Sequence, residues 1–368
     1  MSLRITPFHA RTAAANRGND WLTRNGFTLA RVYDDTNDEA LATRFRSALA
    51  DISWRWRVML EGPRVTEFLG RLVTRDISQL EPGQALKALW LSDGGGVRGA
   101  GAIARYGKES FLLISAAPDS EWITRAAARF DVATREVNDG GLALIGPTAS
   151  AILQAAGIDP TMEPLSFRKT FWRGLDVTLS RFGEHGGYEI WCSEDDGLIV
   201  WDRLIKAGAP YGLQPAGTAA MDILDLEAGI ARPGRDYIPA QDGDGKAPTP
   251  KSLGLEKLID VDLASFNGRA ATLTTRESRT LVGIEIESET PAPFTPLLHK
   301  GQIVGRTLTS LYSPALRRAI ALAQVETSTS QPGTELSLTL SPSAETPQFR
   351  NVAARVTALP FLPPPLQT

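Results

Sequence analysis

The stretch Ser180-Arg181-Phe182-Gly183-Glu184-His185-Gly186-Gly187-Tyr188-Glu189-Ile190-Trp191 decides how this chain is read. Its glycines mark a turn around His185. Tyr188-Glu189-Ile190-Trp191 then alternates as a half-buried strand does, which places Glu189 on the solvent face and His185 in an exposed turn. Further along, Thr218 to Glu227 has helical spacing, with Ala219, Ala220, Ile223 and Leu226 on its apolar side. The segment ends in Asp225-Leu226-Glu227-Ala228-Gly229, where Gly229 suits a left-handed cap.

Outward from these two segments the chain reads as α+β. Val65 to Leu72 and Glu121 to Phe130 have helical spacing and charged outer faces, Trp201 to Ala207 continues a helix, and Ser110 to Ser115 and Leu142 to Ile145 read as strands. Asp93-Gly94-Gly95-Gly96 lacks the Lys-Ser/Thr ending of a phosphate loop and precedes alternating residues, so it predicts a hairpin turn. From about Ala270, short β-rich runs such as Leu281 to Ile286 and Glu335 to Leu340 alternate with Pro- and Gly-containing turns and predict a small β-barrel. The expected division is a two-lobed body over 1–268 and a barrel domain over 269–368. Gln241 to Lys246 reads as a polar loop near the mouth of a site, and Pro360 to Pro365 as an extended surface tail.

Composition narrows the function. A net charge of −3 without a basic block gives no electrostatic footprint for nucleic acid. No apolar run approaches the roughly 18 to 20 residues that span a bilayer, and the first residues lack an apolar core followed by a cleavage site. A cytoplasmic enzyme without nucleic-acid or membrane partners is expected. Cys192, the single cysteine, reads as a packed thiol. His9, His185 and His299 lie far apart in sequence, so no metal is expected, and no Gly-x-Ser-x-Gly elbow occurs.

Landmarks in order along nearly the whole chain resemble the glycine-cleavage T-protein (aminomethyltransferase) family. They are Ala50-Asp51-Ile52-Ser53, Leu60-Glu61-Gly62-Pro63, the Asp93 hairpin, Leu142 to Pro147, the Glu189 segment, Asp225 to Gly229, Thr249 to Leu255, Phe266-Asn267-Gly268 and Gly305 to Ser310 with Ser313-Pro314-Ala315-Leu316. The resemblance implies a three-domain cloverleaf around a funnel, with tetrahydrofolate as cofactor and its N5 at the bottom. A 2-amino-4-oxo pterin presents two adjacent N–H donors that one carboxylate accepts side by side. Glu189 is the candidate for that carboxylate, with Phe182, Tyr188 and Asp236 as the other folate-facing residues.

Departures from the family decide the reaction expected. Gly99 and Ala100 occupy the place of an acidic pair, Met221 that of an arginine and Pro233 that of a tyrosine. Without a carboxylate there, ammonia loss in aminomethyl transfer lacks proton management. The doubled glycine Gly186-Gly187 is closer to the family's demethylase branch, which includes dimethylsulfoniopropionate demethylase and aryl-ether O-demethylases. The expectation is a demethylase that moves a methyl group from a small methylated sulfur, oxygen or nitrogen compound to N5 of tetrahydrofolate. His185, Tyr188 and Tyr237 are its candidate proton donors. Trp54 and Trp56, which fall on one side of a strand, and Arg98 and Arg235 are its candidate donor-binding residues, although Arg98 also reads as an exposed hairpin residue. The alternatives are a folate-binding accessory protein of the iron-sulfur-maintenance type, and a divergent member that has lost folate. The first lacks support because its Lys-Gly-Cys motif is replaced by Gly229-Ile230-Ala231-Arg232. The residues leave the methyl donor and the oligomeric state open.

Overall fold

A computed structural model describes residues 3–240, 247–341 and 348–365, so the expected loop at Gln241 to Lys246 lies outside the described residues. The chain forms two compact units, one of Met1–Leu89, Ala100–Asp222 and Pro364–Thr368, the other of Trp90–Gly99 and Ile223–Pro363.

The first unit is built on a six-stranded sheet. Its strands run in the order Phe167–Trp172, Leu175–Ser180, Tyr188–Cys192, Gly140–Ile145, Ser47–Asp51, Leu213–Pro215. One face packs Tyr188, Ile190, Cys192, Leu142, Leu144, Val177 and Leu179 against Ile152 and Leu153 of the helix Ala149–Ala156 and Val200, Trp201 and Leu204 of the helix Gly197–Gly208. Each such side chain contributes about 1.5–3 kcal/mol when fully buried, which is why the register of Tyr188–Cys192 is fixed. The opposite face is not wet. Every residue of Tyr188–Cys192 is buried, Glu189 included, which corrects the half-buried strand expected from alternation. The physical reason is local: Trp191 covers Gly141, its cross-strand partner, where an added Cβ would lie 2.3 Å from the indole.

A five-stranded sheet in the order Ala85–Leu91, Val97–Gly107, Ser110–Ser115, Trp56–Glu61, Ala133–Glu136 carries the Asp93 turn at one hairpin. That turn closes by Gly95 N–H donating to Ser92 O at 2.9 Å, as the glycines predict.

The helix Thr218–Glu227, whose residues from Ile223 onward belong to the second unit, ends as expected, with Gly229 at φ +72°. In the second unit, the six strands Arg279–Ile286, Arg318–Glu326, Gln302–Ser313, Pro296–His299, Glu335–Leu340 and Arg350–Thr357 form a closed barrel in that order. Alternate residues fill it: Val282, Ile284 and Ile286, then Ala319, Ala321, Ala323 and Val325, then Leu336, Leu338 and Leu340. Closure leaves the strands no open edge. The outward residues Leu281, Leu308, Ile320 and Leu322 pack with Leu226. Ser313 Oγ donates to Glu227 Oε1 at 2.6 Å, and Leu362 N–H to Glu227 O at 3.0 Å. The Pro-rich end lies along this surface, with Pro360, Pro363 and Pro364 exposed while Phe361 and the preceding Leu359 pack on the cluster. Among the described residues no helix is long and apolar enough to cross a membrane.

Candidate functional site

The turn that precedes the strand Trp56–Glu61 is organised by Asp51, whose Oδ1 accepts from Ser53 N–H at 3.0 Å and Ser53 Oγ at 2.7 Å. Thr6 Oγ1 donates to its other oxygen at 2.6 Å, and burial raises the Asp51 pKa above the ordinary value despite these bonds. Asn25 Nδ2 donates to Trp54 O, and Arg55 N–H to Ile52 O, so the turn is held from both sides. It delivers Arg55 to Glu189: Arg55 Nη1 donates to Glu189 Oε1 in an ion pair whose side chains are 12% and 3% exposed. Ser180 Oγ and Trp191 Nε1 reach Glu189 Oε2 only at 3.4 Å. Two residues on, the Arg57 guanidinium lies 3.9 Å from the centre of the Trp191 ring and pairs with Asp139 at 3.3 Å. The arginines at 55 and 57 thus meet the alternate residues 189 and 191 of a strand from the other sheet.

The turn that carries Gly183 packs directly against Glu189. An added Cβ on Gly183 would lie 2.8 Å from Glu189 Oε1, so a larger residue there would press on that oxygen. Gly187, at φ +76°, takes a conformation that favours glycine and passes so close to Leu144 O that a Cβ would lie 2.4 Å away. His185, in the same turn, is buried rather than exposed. The Tyr188 ring belongs to the core, and its hydroxyl meets Ser150 Oγ at 3.0 Å and Pro160 O at 3.1 Å. Phe182 packs edge-on against Phe167. Trp54 packs with Phe27 and Leu29, while Trp56 Nε1 donates to Glu136 at 3.0 Å. Burial pushes the Cys192 thiol up to about 12.

The second unit holds a separate charged cluster. Arg232 Nε donates to Asp225 Oδ2 at 2.6 Å, and Arg235 Nε and Nη2 to Asp236 Oδ2 at 3.0 and 2.9 Å. Arg232 N–H also reaches that Asp236 oxygen, at 2.7 Å. Two buried aspartates are thereby balanced by two arginines, while Asp236 Oδ1 is buried without a hydrogen bond from the described residues. Arg235, Asp236 and Tyr237 line a cleft of about 870 Å³ together with Thr249, Arg279 and Arg306. At the neighbouring hairpin Arg98 is buried, and Gly99 lies against the fully buried Trp90, whose ring atoms would be 2.1 and 2.2 Å from an added Cβ. Among the described residues, no three His, Cys, Asp or Glu side chains group as metal ligands.

The GCVT N-terminal domain matches residues 8–262, and the glycine cleavage T-protein C-terminal barrel domain matches residues 279–362. The chain belongs to the glycine-cleavage T-protein, or aminomethyltransferase, family. An aminomethyltransferase of Bacillus pumilus is 30% identical, covering 98% of this chain and 98% of its own. Another, of Halothermothrix orenii, is 28% identical over 92% of this chain and 94% of its own. The crystal structure of aminomethyltransferase T from Bartonella henselae superposes with a TM-score of 0.87, covering 100% of both chains at 23% identity, and shares the fold. Aminomethyltransferases are folate-dependent one-carbon transferases that use tetrahydrofolate.

Seen as a T-protein relative, the chain groups Phe182, His185, Tyr188, Glu189, Trp54 and Trp56 in one unit, and Arg98, Arg235, Asp236 and Tyr237 in the other. Reading the sequence passed over Arg55, Arg57 and Trp90. A signal for the arginines was present: in Trp54-Arg55-Trp56-Arg57 the basic residues alternate with the aromatics that drew attention.

Proposed function

We propose that this chain is a cytoplasmic tetrahydrofolate-dependent methyltransferase that demethylates a small sulfur, oxygen or nitrogen compound. The observation that carries the reading is the Trp90 indole filling the space at Gly99, the position matched to the family's acid. A carboxylate has no room there, and aminomethyl transfer needs proton management at the departing ammonia.

The residues present fit a pterin. Glu189 offers a buried carboxylate, with Arg55 paired to its Oε1 and donors to its Oε2 only at 3.4 Å. Glu189 would hold the pterin N–H edge, and bound tetrahydrofolate supplies N5 as the methyl acceptor. Tyr237 and His185, both buried, are the proton donors we assign. For a sulfonium donor they have little to do, since the leaving group departs neutral and alignment supplies most of the rate. For an ether, the leaving oxygen needs a proton or a strong hydrogen bond. The Arg235–Asp236 pair and its cleft, with Arg98 on the hairpin, form the proposed donor-binding surface.

The test is a mass-spectrometric survey of methylated sulfur, oxygen and nitrogen compounds incubated with the protein and tetrahydrofolate. The expected product is 5-methyltetrahydrofolate, one for each molecule demethylated. Formation of 5,10-methylenetetrahydrofolate alone from an aminomethyl-lipoyl carrier refutes the proposal in favour of the activity named for the relatives. Formaldehyde released without folate refutes it as well.

A further inference from the structure

We infer that Arg55 is the resident counter-ion of the pterin-facing carboxylate and limits how tightly this chain takes a folate, an inference that rests on the reading of Glu189 above. A pterin edge with two neighbouring N–H groups calls on both oxygens of one carboxylate. Glu189 Oε2 is nearly available, since its two donors stand at 3.4 Å, outside the usual range for a strong bond. Oε1 is not. It already accepts a charge-assisted bond from Arg55, with the carboxylate buried and the arginine largely covered.

Arg55 is not a loose surface arginine that happens to touch the site. Its backbone N–H is bound to Ile52 O at 3.0 Å, the preceding carbonyl accepts from Asn25, and Asp51 pins Ser53 in the same turn. Gly183 packs against Oε1 without a side chain, and an added Cβ there would lie 2.8 Å from that oxygen, so the side chain that holds Oε1 is that of Arg55. Binding therefore requires a guanidinium to leave a buried carboxylate, and breaking such a pair is costly. A chain with a neutral residue at 55 should take folate more tightly. It should also be less stable when empty, because Glu189 is then buried without its counter-charge.

The experiment measures tetrahydrofolate affinity by calorimetry, and thermal midpoints with and without ligand, for the full chain and four variants. Arg55→Met keeps an unbranched stem and removes the charge. Its affinity is expected to rise by about tenfold or more, its empty midpoint to fall, and its ligand-induced shift to grow. Arg55→Lys keeps the charge and stays close to the parent affinity. Arg55→Gln, which keeps an N–H donor for Oε1, gains affinity to an intermediate degree and decides the matter if Arg55→Met fails to fold. Unchanged or weaker binding by Arg55→Met and Arg55→Gln overturns the inference, as does absence of binding by the parent and both variants. The underlying reading fails separately: Glu189→Gln binding as tightly as the parent removes Glu189 from the site whatever residue 55 does.

Discussion

Gly99→Ala tests the feature on which the proposed chemistry rests. An ideal Cβ at Gly99 would lie 2.1 Å from Cζ2 and 2.2 Å from Cε2 of Trp90. That is about 1.5 Å inside the separation at which carbon atoms attract. Gly99 is absent from the positive-φ glycines, so the cost is steric and owes nothing to backbone strain. Trp90 is fully buried and has no solvent to move into. Overpacking a well-packed core costs about 1–3 kcal/mol and sometimes more, and with an overlap this deep we expect about 3 kcal/mol. Gly99→Asp should cost still more, since it adds a buried charge. Urea titration reads the loss as a lower midpoint at unchanged slope. Trp90→Ala alone should cost about 3–5 kcal/mol, but Gly99→Ala made on top of it should add under about 0.5 kcal/mol, because the obstruction is gone. A Gly99→Ala protein as stable as its parent, or strict additivity in the double variant, would show that the indole does not fill this place. The support for methyl over aminomethyl transfer would then be lost.

Other perturbations report on separate parts. Glu189→Gln replaces one acceptor by an amide N–H and should weaken tetrahydrofolate binding by about 2 kcal/mol, roughly thirtyfold; it should also lower stability, because Arg55 loses its carboxylate. Burial raises the folded pKa of Asp51, so ionising it opposes folding: the parent should lose stability relative to Asp51→Asn as pH rises from the ordinary value of 3.8 through the raised one, and a constant difference over that window would contradict the assignment. Ser313→Ala removes a buried bond to a carboxylate worth about 1.5–3 kcal/mol, which should appear as faster hydrogen exchange in Gln302–Ser313. With its thiol pushed up to about 12, Cys192 should react with a disulfide reagent at pH 8 only after denaturation, and rapid native labelling would contradict its burial.

The fold was legible where period and punctuation agree. Val65–Leu72, Ser110–Ser115 and Thr218–Glu227 take the bounds that spacing predicts, and the period-2 pattern of Leu281 to Ile286 and Glu335 to Leu340 points to barrel strands. What alternation does not reveal is what covers a strand's second face. Glu189 looked wet because glutamate between apolar residues usually is, yet Arg55, Ser180 and Trp191 enclose it. The same limit applies at Gly99: one line of sequence reveals that a carboxylate is missing, whereas the indole standing in its space depends on a cross-hairpin neighbour. Arg98 and His185 lie in glycine-rich segments that read as exposed, and both are buried by tertiary packing.

The barrel's closure has a consequence for how the chain is made. Its first strand, Arg279–Ile286, pairs with Arg318–Glu326 on one side and with Arg350–Thr357, the last strand, on the other. During synthesis the first strand therefore waits for Arg350–Thr357 before its second edge is covered, and Leu362 reaches Glu227 later still. Segments made earlier can pair as they emerge, as Leu175–Ser180 does with its sequence neighbour Phe167–Trp172. A nascent chain in which Arg350–Thr357 alone has yet to emerge would thus display an incomplete barrel with two exposed edges, the form most open to pairing with another nascent chain. Pairing of Arg350–Thr357 on both sides seals it.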